Sequence, residues 1–404
     1  MRSYGIAVWP VFGLLILWCF PARAEPPALE GYFSIEPRIF LDDPQFPDQP
    51  AAGLSASAVF APEWVVEWDD GADRLTVSPF VRFDADDDER SHADLREMLW
   101  QRARGPWTIR VGVGRVFWGV TESRHLVDII NQTDQVEDLD DEDKLGQPLV
   151  SAEYWSSKAG SFSVWMLPGF RERTFPAKDA RLMGAIPVDA DRAEYQSSAR
   201  SRHVDWALRW SDSVGGWDLG ASLFRGTSRE PVLEPRLGSE GQVVLVPRYD
   251  VVTQLGVEFQ HTSDAVLWKL ESVYRRGHGT SFGALVAGFE YTFFDIGASG
   301  ADVGVLSELH YDSRNELAPQ TIFDRDWFIG MRVGLNDVQG TQLLVGAILD
   351  DDGTLAVVEG ERRIGNNWKV EAELRVFADI DMDNTMIFGF RDDSFLTLRL
   401  ARFF

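Results

Sequence analysis

The sequence predicts an all-β fold, a transmembrane antiparallel β-barrel of about 18 strands, with about 16 as the alternative. Three observations support this prediction. Short segments alternate apolar and polar residues, tight turns alternate with long loops, and tryptophans gather beside the tight turns. In a barrel of this kind, the short turns are periplasmic and the long loops are extracellular.

Residues 1–24 predict a secretory signal peptide. Arg2 precedes an apolar stretch, and Ala22 and Ala24 frame a cleavage site of the A-x-A type. We therefore expect export and a single barrel domain over residues 25–404. The only cysteine, Cys19, lies in the predicted signal peptide, so no disulfide is expected.

Strand segments recur along the chain. Clear examples are "WTIRVGVG" at 107–114, "VDWALRW" at 204–210 and "WKVEAELRVFA" at 368–378, in which every second residue is apolar. A helix would need apolar residues at spacings of three and four, which these segments lack. After the predicted signal peptide, no uncharged apolar run reaches about 18 residues, which excludes helical membrane spans.

The connections between strands differ in length. Tight turns are predicted at 69–73, 104–106, 158–160, 212–216, 336–340 and 365–367, and long loops at 119–148, 168–202 and 226–249. Six tryptophans lie within three residues of a tight turn: Trp68, Trp107, Trp155, Trp210, Trp217 and Trp368. Because indole rings favour the headgroup layer, this placement indicates an interfacial girdle. A soluble all-β protein is the alternative.

The final segment, "FLTLRLARFF", predicts a closing strand that pairs with the first. Its apolar face carries Leu396, Leu398, Leu400 and Phe404. This pattern resembles the assembly signal of Gram-negative outer-membrane proteins, which the barrel assembly machinery recognises, although Arg402 stands where that family prefers an apolar residue. The segment "GRVFWGVTESRHLVDIINQTD" at 114–134 is similar to one in uncharacterised porin-like barrels, and the topology resembles that of porins.

Loop 119–148 combines an apolar stripe with a run of acids. Leu126, Val127, Ile129 and Ile130 follow helical spacing behind the caps Thr121 or Ser123, which predicts a short packed helix. The ten residues 134–143, "DQVEDLDDED", contain seven carboxylates. Loop 168–202 is basic by contrast.

The resemblance to porins implies that these two loops constrict a pore. The acidic side would be Asp134, Glu137, Asp138, Asp140, Asp141, Glu142 and Asp143; the basic side would be Arg110, Arg171 and Arg173. Opposed charges of this kind set the selectivity of channels. The alternative is that both loops are solvated, with the acids binding divalent cations that bridge to lipopolysaccharide and other outer-membrane lipids.

Three functions follow from these patterns. We expect a porin-like channel for passive diffusion of small hydrophilic solutes or ions; the alternatives are a closed barrel with a surface-binding or structural role, and a barrel hydrolase using His310 with Glu308 or Asp312. The sequence contains neither G-x-S-x-G nor H-E-x-x-H, so we expect no enzyme. The net charge of −25 argues against a nucleic-acid partner. No cofactor or metal site is expected, and homotrimer formation is left open.

Overall fold

The structure is a computed structural model that describes residues 28–51, 53–239, 241–382 and 387–404. The predicted signal peptide lies outside these residues. Among the described residues there are strands and short 3-10 turns, and no helix is both long and apolar enough to cross a membrane.

The described chain forms 21 strands. They are β1 (Ala28–Phe40), β2 (Leu54–Trp68), β3 (Asp73–Asp84), β4 (Ala93–Arg104), β5 (Trp107–Gly114), β6 (Gln147–Ser156), β7 (Gly160–Pro168), β8 (Glu194–Tyr195), β9 (Val204–Val214), β10 (Trp217–Thr227), β11 (Val232–Leu237), β12 (Val243–Tyr249), β13 (Val251–Ser263), β14 (Val266–Arg276), β15 (Ser281–Phe293), β16 (Asp302–Asp312), β17 (Trp327–Gly334), β18 (Gln342–Asp350), β19 (Gly353–Ile364), β20 (Trp368–Ala378) and β21 (Phe395–Phe403).

Eighteen of these strands close into one antiparallel barrel, which confirms the predicted fold and strand number. Each barrel strand pairs with the next along the chain, and β21 returns to β1 with Tyr32 opposite Phe403 and Phe40 opposite Phe395. Closure leaves no unpaired edge, which a membrane requires because lipid cannot hydrogen-bond to a free strand. The other three strands, β8, β11 and β12, form a small sheet in the loops that the sequence did not predict.

The two ends of the barrel differ. All six predicted tight turns lie at one end, here called the turn end. The first residue of β1 and the last residue of β21 lie at this end too. The long loops lie at the other end, the loop end. The alternation of lengths has two exceptions there, because residues 277–280 and 351–352 join β14 to β15 and β18 to β19 as tight hairpins.

The outward face of the barrel is apolar. On β1, Phe33 and Ile35 are exposed, whereas Glu36 and Arg38 are buried inside. Four of the six predicted girdle tryptophans are exposed at the turn end: Trp107, Trp155, Trp217 and Trp368. Trp68 is only 9% exposed and does not belong to this group. The apolar face therefore meets lipid, and the polar face surrounds the interior.

We predict that Leu398→Arg destabilises the barrel by about 2–4 kcal/mol, because it moves a guanidinium into lipid. Leu398 is exposed on the outward face of β21. The matched control is Glu359→Arg, which places the same group inside the barrel opposite Glu373 and should cost under about 1 kcal/mol. Urea unfolding in lipid vesicles measures both. Equal losses would mean that the two faces are wrongly assigned.

Candidate functional site: an in-folded loop and a charged cavity

Residues 115–146, which connect β5 to β6, lie inside the barrel. Leu126, Val127, Ile129 and Ile130 are all at most 6% exposed. They pack in one core with inward side chains of seven strands: Leu149, Trp165, Leu167, Ala207, Phe224, Val252, Val273, Ala284 and Val286. This side of the interior, bounded by β6, β7, β9, β10 and β13–β15, is called the dry half.

The predicted helix in this loop is wrong, since residues 115–146 contain only isolated hydrogen-bonded turns and no helix. Carboxylates of the barrel wall accept hydrogen bonds from the backbone N–H groups of the loop instead. Glu271 accepts hydrogen bonds from the N–H groups of Val120, Thr121 and Val127, and from the Thr121 hydroxyl at 2.7 Å. Backbone that is not helical must find other acceptors when it is buried, and a charged acceptor makes the stronger bonds.

A second wall carboxylate repeats this arrangement. Glu308 on β16 accepts the N–H groups of Glu122 and Ser123 and the Ser123 hydroxyl. The predicted caps therefore bind the wall rather than a helix. Gly119, with φ of +143°, permits the close approach, because a Cβ there would lie 2.9 Å from a Glu271 oxygen.

The loop is also held at its far end. The Asn131 side chain donates to the carbonyls of Gly114 and Leu145 and accepts from the N–H of Val116. Arg229 donates two hydrogen bonds to the Ile130 carbonyl. These contacts fix the position at which the acidic residues begin.

The opposite half of the interior contains a cavity of about 940 Å³, bounded by β1–β4, β17–β21 and the in-folded loop. Its lining is charged. The basic residues are Arg38, Arg82, Arg90, Arg96, Arg115, Arg332 and Arg399; the acidic residues include Glu30, Glu36, Glu63, Glu122, Glu137, Asp138, Asp143, Glu359, Glu361, Glu371 and Glu373. Lining residues such as Leu29 and Phe404 extend the cavity to the turn end.

Residues 134–143, the acidic segment, contact basic side chains of β3, β4 and β20. Asp134 lies 2.6 Å from Arg96, and Arg82 binds both oxygens of Glu137. Arg375 lies 2.8 Å from Asp138 and 2.7 Å from Asp140. Most of these groups are buried, so the pairs hold the segment against the wall.

The predicted basic side is placed differently. Arg110 lies near the turn end, paired with Glu153 at 3.0 Å, because it is only three positions from the start of β5. Arg171 binds Asp94 at 2.7 Å and the Gly146 carbonyl.

The remaining members of the predicted sets are more exposed. Arg173 lies 3.5 Å from Asp141, and it is the one predicted basic residue that contacts the acidic segment among the described ion pairs. Glu142 lies 3.7 Å from His125. Asp143 faces the cavity. The alternation of residues along each strand could predict which side chains point into the barrel. It could not predict which part of the wall the loop would approach.

Two titratable groups of the loop have shifted pKa values. Asp143 is exposed to the cavity but enclosed by the barrel, and this desolvation, with the nearby carboxylates of Glu137 and Asp138, raises its pKa to about 7. Burial alone would lower the pKa of His125, but the nearby carboxylates of Glu142 and Glu271 raise it to about 9. Asp143 therefore changes charge near neutral pH, whereas His125 stays a cation.

A smaller pocket of about 30 Å³ lies beyond the cavity toward the loop end. Arg38 and Arg90 line both spaces, and this point is called the neck. Arg90 is bound to Asp84 at 2.8 Å. Arg38 donates to the Thr397 hydroxyl and lies over the Phe395 ring, with no carboxylate at ion-pair distance among the described residues.

The loops close over the neck at the loop end. Arg181 donates to Asp393 at 2.6 Å, and both side chains are almost fully buried. Gln49 donates to the carbonyls of Ala180 and Arg181. These contacts join the connections 41–53, 169–203 and 379–394 above the small pocket.

Two serine–histidine pairs occur away from the cavity. Ser228 Oγ lies 3.4 Å from His278 Nε2, and His278 Nδ1 lies 3.0 Å from Asp250. This is the order of a catalytic triad. However, the three residues are at most 2% exposed, and the Ser228 hydroxyl donates to the Glu230 carbonyl.

The second pair involves His310, the predicted candidate of the hydrolase hypothesis. Ser123 Oγ lies 2.6 Å from His310 Nε2 but donates to Glu308. Asp312 binds Arg314 at 2.8 Å rather than His310. The sequence could not reveal Ser123 as a neighbour, because residues 187 positions apart meet only through the in-folded loop.

A closed antiparallel barrel of 18 strands, with an apolar outward face, a polar interior and turns and loops at opposite ends, defines an outer-membrane β-barrel protein. No protein-family model matches the chain. No curated protein matches it either.

Several solved structures are similar to this chain. Wzi of Escherichia coli, a carbohydrate-binding β-barrel involved in group 1 capsule assembly, covers 91% of this chain and 83% of its own, at 11% identity and a TM-score of 0.49. OmpT of Vibrio cholerae, in its trimer form, covers 94% and 99% at 11% identity and a TM-score of 0.46. A mutant of the Rh. blastica porin covers 94% and 100% at 12% identity and a TM-score of 0.43. The likeness concerns the fold and assigns no activity.

We predict that Glu271→Gln loosens the in-folded loop and costs about 1.5–3 kcal/mol, because the amide loses the charge and one acceptor oxygen. Urea unfolding gives the stability, and trypsin cleavage after Arg124 or Lys144 reports release of the loop. The control is Glu371→Gln, a cavity residue paired with Lys369. Equal resistance of the two variants to trypsin would show that Glu271 does not hold the loop.

Proposed function

We propose that the protein conducts small ions across the outer membrane through the cavity beside the in-folded loop. The observation that carries this proposal is that the cavity and the small pocket share Arg38 and Arg90 as lining residues. A path from the turn end toward the loop end would therefore be narrowed at two guanidinium groups, and it would reach the outside only when the loop contacts above the small pocket separate.

The charges of the cavity favour ions over neutral solutes. Arginines and carboxylates face each other across the space, and such a lining replaces part of the hydration of a passing ion. Carboxylates outnumber arginines among the lining residues, so the expected preference is for cations.

The small pocket beyond the neck limits the size of the solutes that could pass. The small pocket of about 30 Å³ has room for only a few water molecules. We therefore narrow the expected solutes to small ions, which pass when the Arg38 side chain moves. Among the described contacts, Arg38 is held by a hydrogen bond to Thr397 and by the Phe395 ring, and no ion pair restrains it.

A closed barrel with a surface-binding or structural role is the second candidate. The buried pair of Arg181 and Asp393, which joins the loops above the neck, favours it. Planar-bilayer recording of the refolded chain separates the two functions. Stable ohmic steps support the channel, and a folded barrel without conductance supports the closed alternative.

We also propose that the protein is not an enzyme. Two features support this: the Ser228, His278 and Asp250 group is closed to solvent, and Ser123 donates its proton to Glu308 rather than to His310. For assembly, we propose that the barrel assembly machinery binds β21, whose outward face carries Leu398 and Leu400.

We predict that Arg38→Ala raises the single-channel conductance roughly twofold or more and shifts selectivity further toward cations, because it removes a cation from the junction of the cavity and the small pocket. The control is Arg110→Ala, which removes an arginine near the turn end. Current steps and reversal potentials in a salt gradient measure both effects. Identical behaviour of the two variants would place the path elsewhere.

Selectivity should depend on pH. The pKa of Asp143 is about 7, so this carboxyl is mostly neutral at about pH 6 and mostly ionised at about pH 8. Cation preference should therefore rise between these values. Asp143→Asn should flatten the rise, and Asp141→Asn, which changes an exposed carboxylate, should not. An unchanged pH profile in Asp143→Asn would contradict the assignment.

A further inference from the structure

We propose that Asp324, Asp326 and Asp350 form a Ca²⁺ site at the loop end of the barrel. One carboxylate oxygen from each lies within 4.8 Å of the others. This group is separate from the cavity and from the acidic segment.

Strand pairing brings the three residues together. Asp324 and Asp326 extend β17 backwards, since their carbonyls accept the N–H groups of Asp312 and His310 at 2.9 Å. Trp327 lies opposite Leu349, so the next pair outward is Asp326 with Asp350. Like charges directly opposite on neighbouring strands repel, so a cation bound between them would stabilise this placement.

Asp326 gives the second, independent indication. Its side chain is 1% exposed, and neither carboxylate oxygen has a hydrogen-bond partner within the described part of the chain. No arginine, lysine or histidine lies at ion-pair distance from Asp324 or Asp326 among the described ion pairs. Buried carboxylates normally have such partners, or they bind a metal.

The donor set and spacing suit Ca²⁺. All three ligands are carboxylate oxygens, which hard cations prefer. Bonds of about 2.3–2.6 Å let oxygens up to about 5.2 Å apart share one Ca²⁺, and Ca²⁺ tolerates irregular geometry better than Mg²⁺ does. Asp324 is exposed, so waters can complete the coordination.

A second group of possible metal ligands differs from this one in the cations around its carboxylates. His92, Asp134 and Glu137 are equally close together. There, however, Arg96 binds Asp134 and Arg82 binds Glu137, so guanidinium groups already neutralise the carboxylates. Asp324 and Asp326 have no such guanidinium partner among the described ion pairs. A bound Ca²⁺ would tie the connection 313–326 to the tight hairpin 351–352.

The test uses the refolded full barrel in detergent, freed of metal with EDTA. Ca²⁺ should raise the urea midpoint of the native chain, and Tb³⁺ should show luminescence sensitised by nearby Trp327. Asp326→Asn should lower the affinity for both ions at least tenfold. The control is Asp88→Asn, which neutralises an exposed aspartate of the acidic turn 84–89 and should bind as the native chain does.

Stability without metal provides a second, opposite readout. In EDTA, Asp326→Asn should unfold at higher urea than the native chain, because it removes a buried charge without a partner. Added Ca²⁺ should reverse this order. The proposal is overturned if Ca²⁺ does not stabilise the native chain, or if it stabilises Asp326→Asn equally. Neither result depends on conductance, so the channel is tested separately.

Discussion

Hydrogen bonds from irregular backbone to Glu271 and Glu308 are the interaction on which the interior depends. An in-folded chain without helical structure carries many N–H groups into the barrel, where unpaired donors are costly. Two wall carboxylates accept seven hydrogen bonds between them from residues 120–127. With this stretch fixed, the apolar residues that follow can fill the dry half, and the acidic segment is delivered to the opposite wall.

The same arrangement divides the interior by chemistry. The apolar stripe of the loop covers the inward apolar side chains of β6–β15, and this leaves the charged wall of β1–β4 and β17–β21 facing the cavity. A barrel of 18 strands would otherwise enclose a wide lumen. The loop thus reduces it to a cavity along one side, with a neck where Arg38 and Arg90 meet.

The sequence predicted the strands of the barrel wall better than the arrangement of the loop inside the barrel. Alternation at period two, turn residues and the apolar face of β21 predicted the closed barrel, because each is a local property of a strand or turn. The prediction of a helix after Thr121 was wrong, because the spacing of the apolar residues Leu126 to Ile130 indicates which side chains are buried. It does not indicate where the backbone N–H groups form hydrogen bonds. Arg110 was predicted inward, but its distance from the acidic segment depends on which wall the loop approaches. That choice is made by Glu271 and Glu308, which are far away in sequence.

The closing seam between β1 and β21 has a consequence for the order of assembly. The dry half is built from barrel strands that are consecutive along the chain, preceded directly by the in-folded loop, so its strand pairs form between near neighbours. The cavity wall instead joins β1–β4 with β17–β21, from opposite ends of the described chain. Contacts of such long separation form late, because closing a long loop has a large entropic cost. The space that we assign to ion passage therefore comes into existence only with the final pairing of the barrel.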